Sequence, residues 1–275
     1  MSAPAGVLRG EQVTAAEHPA PQRRSVSLTV AVATLAREKL RAALRSGDLM
    51  MAALSPVVFF LCFYLPMHRR FELSGASYAQ FLLPIILLQS ALFTAIAATE
   101  AAGADARAGV RERLASLPMS RTSAPAARMV WVVVRMFVAV IAGLAIGSAF
   151  GFRFHGSVWQ TTLFIVVLIL TGLAVSMLTD AVGSSVRNST SIASVLMIPQ
   201  LILVMASTGL VPASGFPGWV QPFVRDQPLS VLADALRDLS VGDPAAVLAP
   251  ALWVLGLLLA GWVAMVCAGR TQVGR

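Results

Sequence analysis

Few residues in this chain of 275 have the type and spacing that chemistry requires. The sequence holds no GxxxxGK[ST] motif for nucleotide phosphates, no HExxH motif for zinc and no GxSxG motif with triad partners. The three histidines are scattered, and neither Cys62 nor Cys267 has a CxxC partner or a nearby histidine. We therefore expect that the chain is not an enzyme and that it binds no metal, nucleotide or other cofactor itself.

The most informative polar stretch is Asp105 to Leu117, which reads DARAGVRERLASL and is followed by Pro118. Its apolar residues recur at i, i+4 and i+7, which predicts a short amphipathic helix with charges beside the apolar stripe. This helix either docks a partner protein or is a solvated linker between two apolar segments. The candidate docking residues are Val110, Arg111, Glu112, Arg113, Leu114 and Leu117.

The stretch Ser207 to Ser230 is the least regular part of the chain, with four prolines and three glycines. It contains no pairing of a nucleophile with a base, and its aromatic residues favour a membrane–water boundary. We therefore expect a segment that caps the membrane rather than a catalytic loop. Its candidate residues are Pro217, Trp219, Pro222, Arg225 and Pro228.

An amphipathic helix is predicted directly after this segment. Four leucines, at positions 229, 232, 236 and 239, form one stripe at helical spacing. Pro228 suits the first turn, and Gly242 and Pro244 predict the end of the helix. The stripe must face either lipid or neighbouring helices.

Polar side chains inside apolar runs are the candidates for contact with a substrate, and these are Gln89, Arg135 and Gln200. A hydrogen bond between helices explains each glutamine better than a position along a pathway does. Arg135 lies near one end of its run, so its guanidinium either reaches the interface or lines a pathway. Asp180 ends another run, where we expect it to be hydrated.

These residues must be positioned by membrane-spanning helices. The chain is 57% hydrophobic and 12% charged, with a mean hydropathy of +0.77, whereas soluble domains are about 25% charged. We predict an all-α integral membrane protein with six spans, because runs near 20 apolar residues suffice to cross a bilayer. The spans are about 49–67, 78–99, 129–148, 159–179, 191–211 and 247–268.

The segments that flank the spans differ in character. Residues 1–26 predict a disordered tail, residues 27–270 a single transmembrane domain, and residues 271–275 a short second tail. In Ser27 to Ser46, leucines and a valine at near-helical spacing predict an amphipathic interface helix. Its basic residues, Arg37, Lys39, Arg41 and Arg45, are expected to reach lipid headgroups.

Charge predicts the orientation. Of the 21 lysines and arginines, 15 fall on the side of the termini and five on the other side. Because cytoplasmic loops carry the positive excess, both termini are predicted to be cytoplasmic. The net charge of +8 is thereby explained without a nucleic-acid partner.

Several stretches together resemble the ABC-2 type exporter permeases: the interface helix, the six-span layout, LASLPMSRTSAPAAR at 114–128 and the proline-rich stretch before the last span. Within that family, GFRFH at 151–155 and residues 207–230 are similar to the daunorubicin-resistance permeases and their mycobacterial lipid- and drug-exporting relatives.

The resemblance implies a permease subunit in the cell membrane that exports an amphiphilic or apolar substrate, such as a drug or a complex lipid. It implies a separate ATPase that binds ATP and Mg and contacts a coupling helix at 105–117. It also implies a second copy or a related permease, and a re-entrant hairpin before the last span. From the residues alone, a carrier driven by an ion gradient and a non-transporting scaffold or immunity subunit remain alternatives.

Leu114→Asp tests the predicted docking helix. The carboxylate interrupts the apolar stripe, so we expect loss of binding to the ATPase subunit with normal insertion into the membrane. Co-purification of the two subunits from membranes measures this, and a complex that survives the substitution places the docking site elsewhere.

Overall fold

The computed structural model describes residues 27–72, 77–110, 120, 122–185, 189–210, 215–243 and 248–271. Within these ranges the chain forms nine helices and no strand. They are α1 Leu28–Ser46, α2 Asp48–Glu72, α3 Tyr78–Arg107, α4 Ser123–Ala149, α5 Val158–Ser185, α6 Ser189–Met205, α7 Gln221–Asp226, α8 Pro228–Val241 and α9 Leu248–Thr271. The predicted tail at 1–26 and residues 272–275 lie outside the described ranges.

Five of these helices are long and apolar enough to cross a membrane, namely α2, α3, α4, α5 and α9. The prediction of an all-helical membrane protein is confirmed. The remaining predicted span, 191–211, corresponds to α6, which has 17 residues and ends at Met205. At about 1.5 Å per residue it spans roughly 25 Å, the lower limit for a bilayer. Turns follow it, with Ala206 N donating to Ile202 O at 2.8 Å.

Helix α3 lies at the centre of the bundle. In its most apolar stretch 78% of the residues are buried, against 11% in α9 and 17% in α2. A helix that is apolar on all sides is most stable where neighbours surround it, and α3 contacts α2, α4, α5, α6 and α8. The apolar outer faces of α2 and α9 are left for lipid.

Small residues bring α5 close to α3 and α9. Thr179 Oγ1 donates to Ala95 O across the α3–α5 contact at 2.7 Å. A Cβ atom at Gly183 would lie 2.9 Å from the Cα atom of Thr99, and one at Gly261 would lie 2.8 Å from Ala174 O. Such contacts are the usual means of packing helices in lipid, where apolar burial gives no net drive.

Helix α1 has the predicted bounds and ends at Gly47, whose φ of 75° suits glycine. Its buried face consists of Ala31, Ala36 and Ala43 rather than of the predicted larger residues. Leu28 and Leu44 of the predicted stripe are exposed. The alanine face lets α1 approach α4 closely.

Helix α8 confirms the prediction made for 228–242. It begins at Pro228 and ends at Gly242, whose φ is 95°. All four leucines of the stripe are buried. The helix contacts α3, α5 and α9, so neighbouring helices rather than lipid cover the stripe.

Gly183→Ala is expected to lower the melting temperature of the purified protein. The added methyl group meets backbone atoms of Thr99, which cannot rotate away, and overpacking of this kind costs about 1–3 kcal/mol. Thermal unfolding in detergent measures the effect. Gly256→Ala in α9 is the matched control, because among the described residues no atom lies within 4 Å of a Cβ there. Equal melting temperatures for the two variants would contradict the packing described.

Candidate functional site

One face of α4 carries the polar side chains at one end of the bundle. Arg128, Trp131 and Arg135 are spaced i, i+3 and i+7, which places them on the same side of a helix. All three are buried. This end, which also holds α1, is called the α1 end below, and the opposite end is called the α8 end.

Arg128 binds carboxylates of two other helices. Its Nε and Nη2 atoms donate to Asp180 Oδ1 and Oδ2 on α5 at 2.5 and 2.8 Å. Its Nη1 atom donates to Asp105 Oδ2 on α3 at 3.0 Å. Lys39 on α1 completes the set, with Nζ 2.9 and 2.8 Å from the two Asp105 oxygens. These four residues form the ionic network.

Burial makes the ionic network a strong constraint. The side chains of Arg128 and Asp180 are each 2% exposed, and those of Asp105 and Lys39 are 17% and 26% exposed. A charge transferred from water to such a site costs several kcal/mol unless an opposite charge and hydrogen bonds compensate. The two-pronged contact with Asp180 supplies both, in the geometry that guanidinium and carboxylate groups favour.

The ionic network also closes the base of a loop. Asp105 lies in the last turn of α3 and Arg128 in the second turn of α4, so their salt bridge joins the two ends of the intervening segment 108–122. The predicted docking helix, 105–117, starts just before this segment and extends into it. Its first residues belong to α3, and Gly109 then turns the chain with a φ of 62°. Val110 is half-buried, while Arg111, Glu112, Arg113, Leu114 and Leu117 lie outside the described residues.

The expectations for Asp180 and Lys39 were wrong. Asp180 is 1% exposed rather than hydrated, because α5 continues past it to Ser185. Lys39 turns inward to Asp105 rather than outward to headgroups. One sequence signal pointed to the site: Arg128 and Arg135 are seven residues apart at the start of an apolar helix, so they share one face.

Arg135 belongs to a second ion pair at the same end. Its Nη1 atom donates to Asp48 Oδ1 at the start of α2, and Trp131 Nε1 donates to Asp48 Oδ2 at 3.2 Å. The guanidinium carbon lies 5.7 Å from the centre of the Trp131 ring. The sequence offered an interfacial or a pathway position for Arg135, whereas the structure gives it a carboxylate partner 87 positions earlier in the chain.

Gln89 and Gln200 are both buried, at 3% and 7% exposure. Neither Oε1 atom has a hydrogen-bond partner within the described part of the chain. An interhelical hydrogen bond through these oxygens is therefore not seen, and a role for either residue in a pathway stays a prediction.

At the α8 end, Arg237 of α8 binds the turn that follows α6. It donates to Thr208 O and Gly209 O at 3.2 and 2.7 Å, and to Phe81 O of α3 at 3.0 Å. Asp234 accepts a further hydrogen bond at 2.6 Å. Burial lowers the pKa of Arg237, and the carboxylates of Asp234 and Asp238 oppose that shift. These contacts hold α3, α6 and α8 together.

The predicted capping segment surrounds this cluster. Pro217, Trp219, Pro222 and Arg225 are exposed, with Trp219 at 85%. Gln227, between α7 and α8, is buried, and its Nε2 atom donates to Leu203 O and Ala206 O at the end of α6. Pro228 then begins α8. The segment is thus anchored by Gln227, which was not among the candidate residues, while Pro217, Trp219, Pro222 and Arg225 face outward.

An apolar cavity of about 270 Å³ lies between α5, α8 and α9. It is lined by aliphatic side chains and one proline, including Leu163, Leu170, Leu239, Val254 and Leu258. Such a lining suits hydrocarbon rather than a charged group.

The sequence was compared with known protein families and with individual proteins. Residues 66–268 match the family described as ABC-2 family transporter protein. The chain belongs to the ABC-2 transporter family. The matched region runs from the end of α2 nearly to the end of α9 and includes Asp105, Arg128 and Asp180. This ABC-2 protein is therefore a multi-pass membrane protein related to the membrane subunits of ABC transporters.

Its relatives include named permeases. The chain is 33% identical over 231 residues to the doxorubicin resistance ABC transporter permease protein DrrB of Mycobacterium tuberculosis, which covers 81% of this chain and 79% of that protein. It is 29% identical over 215 residues to the daunorubicin resistance ABC transporter permease protein DrrB1 of Streptomyces coeruleorubidus, with 77% and 74% covered. The probable permease DrrC of M. tuberculosis is 33% identical over 159 residues, 58% of this chain and 55% of DrrC.

Arg128→Met is expected to destabilise the ABC-2 domain strongly. The substitution leaves Asp180 buried without its cation, and breaking one partner of a buried pair costs about 3–5 kcal/mol. Combining it with Asp180→Leu removes the unpaired charge and should recover much of the loss. Thermal unfolding in detergent measures both variants, with Arg37→Met on the exposed side of α1 as control. A single variant as stable as the wild type would contradict the burial described.

Proposed function

We propose that this chain is the permease subunit of an ATP-driven exporter that moves an amphiphilic or apolar substrate out across the cell membrane. A separate ATPase subunit binds ATP and Mg and supplies the energy. Besides membership of the ABC-2 family, one structural observation carries the proposal. The predicted docking segment begins at the end of the central helix α3, and the Asp105–Arg128 salt bridge fixes its base.

The ATPase acts on the 105–117 segment in this proposal, so the α1 end faces the cytoplasm, as the distribution of basic residues predicts. The segment leaves α3 without an intervening flexible stretch up to Gly109. A force applied there therefore reaches the helix that contacts most of the bundle.

In this proposal a second copy of the chain or a related permease completes the substrate pathway across the membrane. The described chain leaves a continuous apolar face on α6, where Val195, Ile198 and Ile202 are each about 60% exposed. In a membrane this face contacts lipid or the second subunit. The short length of α6 and the buried turn after it, at Ser207 to Leu210, support a position beside this pathway.

Two observations support an amphiphilic or apolar substrate. The cavity between α5, α8 and α9 is apolar, and the relatives are named for resistance to doxorubicin and daunorubicin. Doxorubicin is therefore the first probe, and a complex lipid the second.

Reconstitution tests the proposal. The chain is purified together with a candidate P-loop ATPase subunit and placed in vesicles with the ATPase facing outward, so that ATP reaches it. Doxorubicin is added to the outer medium, because an exporter in this orientation carries it into the vesicle. We expect a stable complex and ATP-dependent movement of the probe or of lipid, which is lost when the P-loop lysine of the ATPase is replaced. Absence of any complex overturns the proposal, and movement that follows an ion gradient without ATP favours a carrier instead.

Trp219→Ala separates the two ends of the protein. The side chain is 85% exposed at the α8 end, so we expect slower export without a change in binding of the ATPase at the α1 end. Export rate and co-purification are measured on the same preparation, with the exposed Val158→Ala as control. Loss of ATPase binding in the Trp219 variant would contradict the assignment of that segment to the exit side.

A further inference from the structure

One guanidinium in the ionic network serves two helices at once. Arg128 contacts Asp180 on α5 through Nε and Nη2, and Asp105 on α3 through Nη1. The guanidinium is planar and rigid, so its three donors keep a fixed relation to one another. A displacement of Asp105 therefore cannot leave the position of Asp180 unchanged while the hydrogen bonds persist.

We propose that the ionic network transmits motion of the docking segment to α5, with Arg128 as the positioning residue at its centre. This inference rests on the proposed function, in which an ATPase acts on the 105–117 segment. It adds the route by which that action reaches the opposite side of the membrane.

Helix α5 is built to carry such a displacement. It runs without proline for 28 residues from Val158 to Ser185, and Asp180 lies in its last two turns. Its other end adjoins the end of α8: Gln160 Nε2 donates to Asp243 O at 3.3 Å. Just before α5, a Cβ atom at Gly242 would lie 3.1 Å from the Cα atom of Gly156. Movement of α5 is thus delivered to the C-terminal end of α8, the helix that follows the capping segment.

Helix α1 is tied to the same point. Lys39 Nζ contacts both carboxylate oxygens of Asp105, and among the described ion pairs this is the one that joins α1 to α3. A displacement of the docking segment therefore moves α1, α3 and α5 together through a single carboxylate and a single guanidinium.

The Asp48–Arg135 pair provides a matched comparison. It is also an aspartate–arginine pair of α4 at the α1 end, and its guanidinium is largely buried. It joins α2 to α4 and contacts neither Asp105 nor Asp180. A purely structural role for ion pairs at this end predicts the same consequence for the loss of either pair.

The experiment measures the reactivity of α5 at the end remote from the ionic network. Val158→Cys, at the first position of α5 and 84% exposed, is introduced into a background in which Cys62 and Cys267 are replaced by alanine. The permease–ATPase complex is placed in lipid nanodiscs and labelled with a maleimide, with and without a non-hydrolysable ATP analogue. We expect the nucleotide to change the labelling rate about fivefold or more, the lower range of coupling between distant sites.

Asp180→Asn is expected to remove this nucleotide-dependent change while the complex still assembles and hydrolyses ATP. Asp180→Glu should restore it, because the charge returns. Arg128→Lys keeps a cation but loses the rigid, planar fork that holds Asp180 and Asp105 in a fixed relation. It should therefore resemble Asp180→Asn, and it serves as the test if that variant does not fold. Asp48→Asn should retain the wild-type response.

Retention of the nucleotide response in Asp180→Asn and Arg128→Lys overturns the inference. Equal loss of the nucleotide response in Asp180→Asn and Asp48→Asn also overturns it, because a general weakening of helix packing at the α1 end then explains the result. The inference is also overturned if the otherwise wild-type complex hydrolyses ATP but its labelling rate at position 158 is the same with and without the nucleotide. Failure of the wild-type chain to bind an ATPase is seen earlier, at co-purification, and counts against the proposed function itself.

Discussion

The buried guanidinium of Arg128 is the constraint on which the α1 end of the bundle depends. With 2% of its side chain exposed, this cation is stable only where carboxylates surround it. One carboxylate comes from α3 and one from α5, so both helices must reach α4 in a fixed register. Lys39 then brings α1 to the same place. The conformation of the ends of the 108–122 segment follows from this requirement.

Two kinds of contact hold the bundle together. Along α5, Thr179, Gly183 and the contact with Gly261 of α9 allow close approach between backbones, which is the main source of helix association in lipid. At the ends, charged and amide side chains bind carboxylates or free carbonyl groups, as Arg237 and Gln227 do for the turn after α6. Close packing sets the distance between α5 and its neighbours, and the polar contacts determine what α5 is attached to at each end.

Local sequence patterns predicted the helices, but they did not predict which charged residues pair between helices that are distant in sequence. The leucine stripe, Pro228 and Gly242 predicted α8 to within a residue, because each acts on its own turn of helix. The pairs Arg128–Asp180, Lys39–Asp105 and Arg135–Asp48 join residues that are 52, 66 and 87 positions apart in sequence. The spacing of apolar and polar residues within one helix does not determine which face of another helix it contacts. The expectation of a hydrated Asp180 and a lipid-facing Lys39 failed for that reason.

The most direct measurement is a pair of cryo-electron microscopy structures of the permease–ATPase complex in lipid, one without nucleotide and one with an ATP analogue. We expect the ATPase to contact the 105–117 segment. We also expect Arg128 to stay within about 4 Å of Asp105 and Asp180 in both states, the distance of an ion pair, while the Val158 end of α5 shifts against α8. Separation of Arg128 from either carboxylate while α5 moves would contradict that expectation.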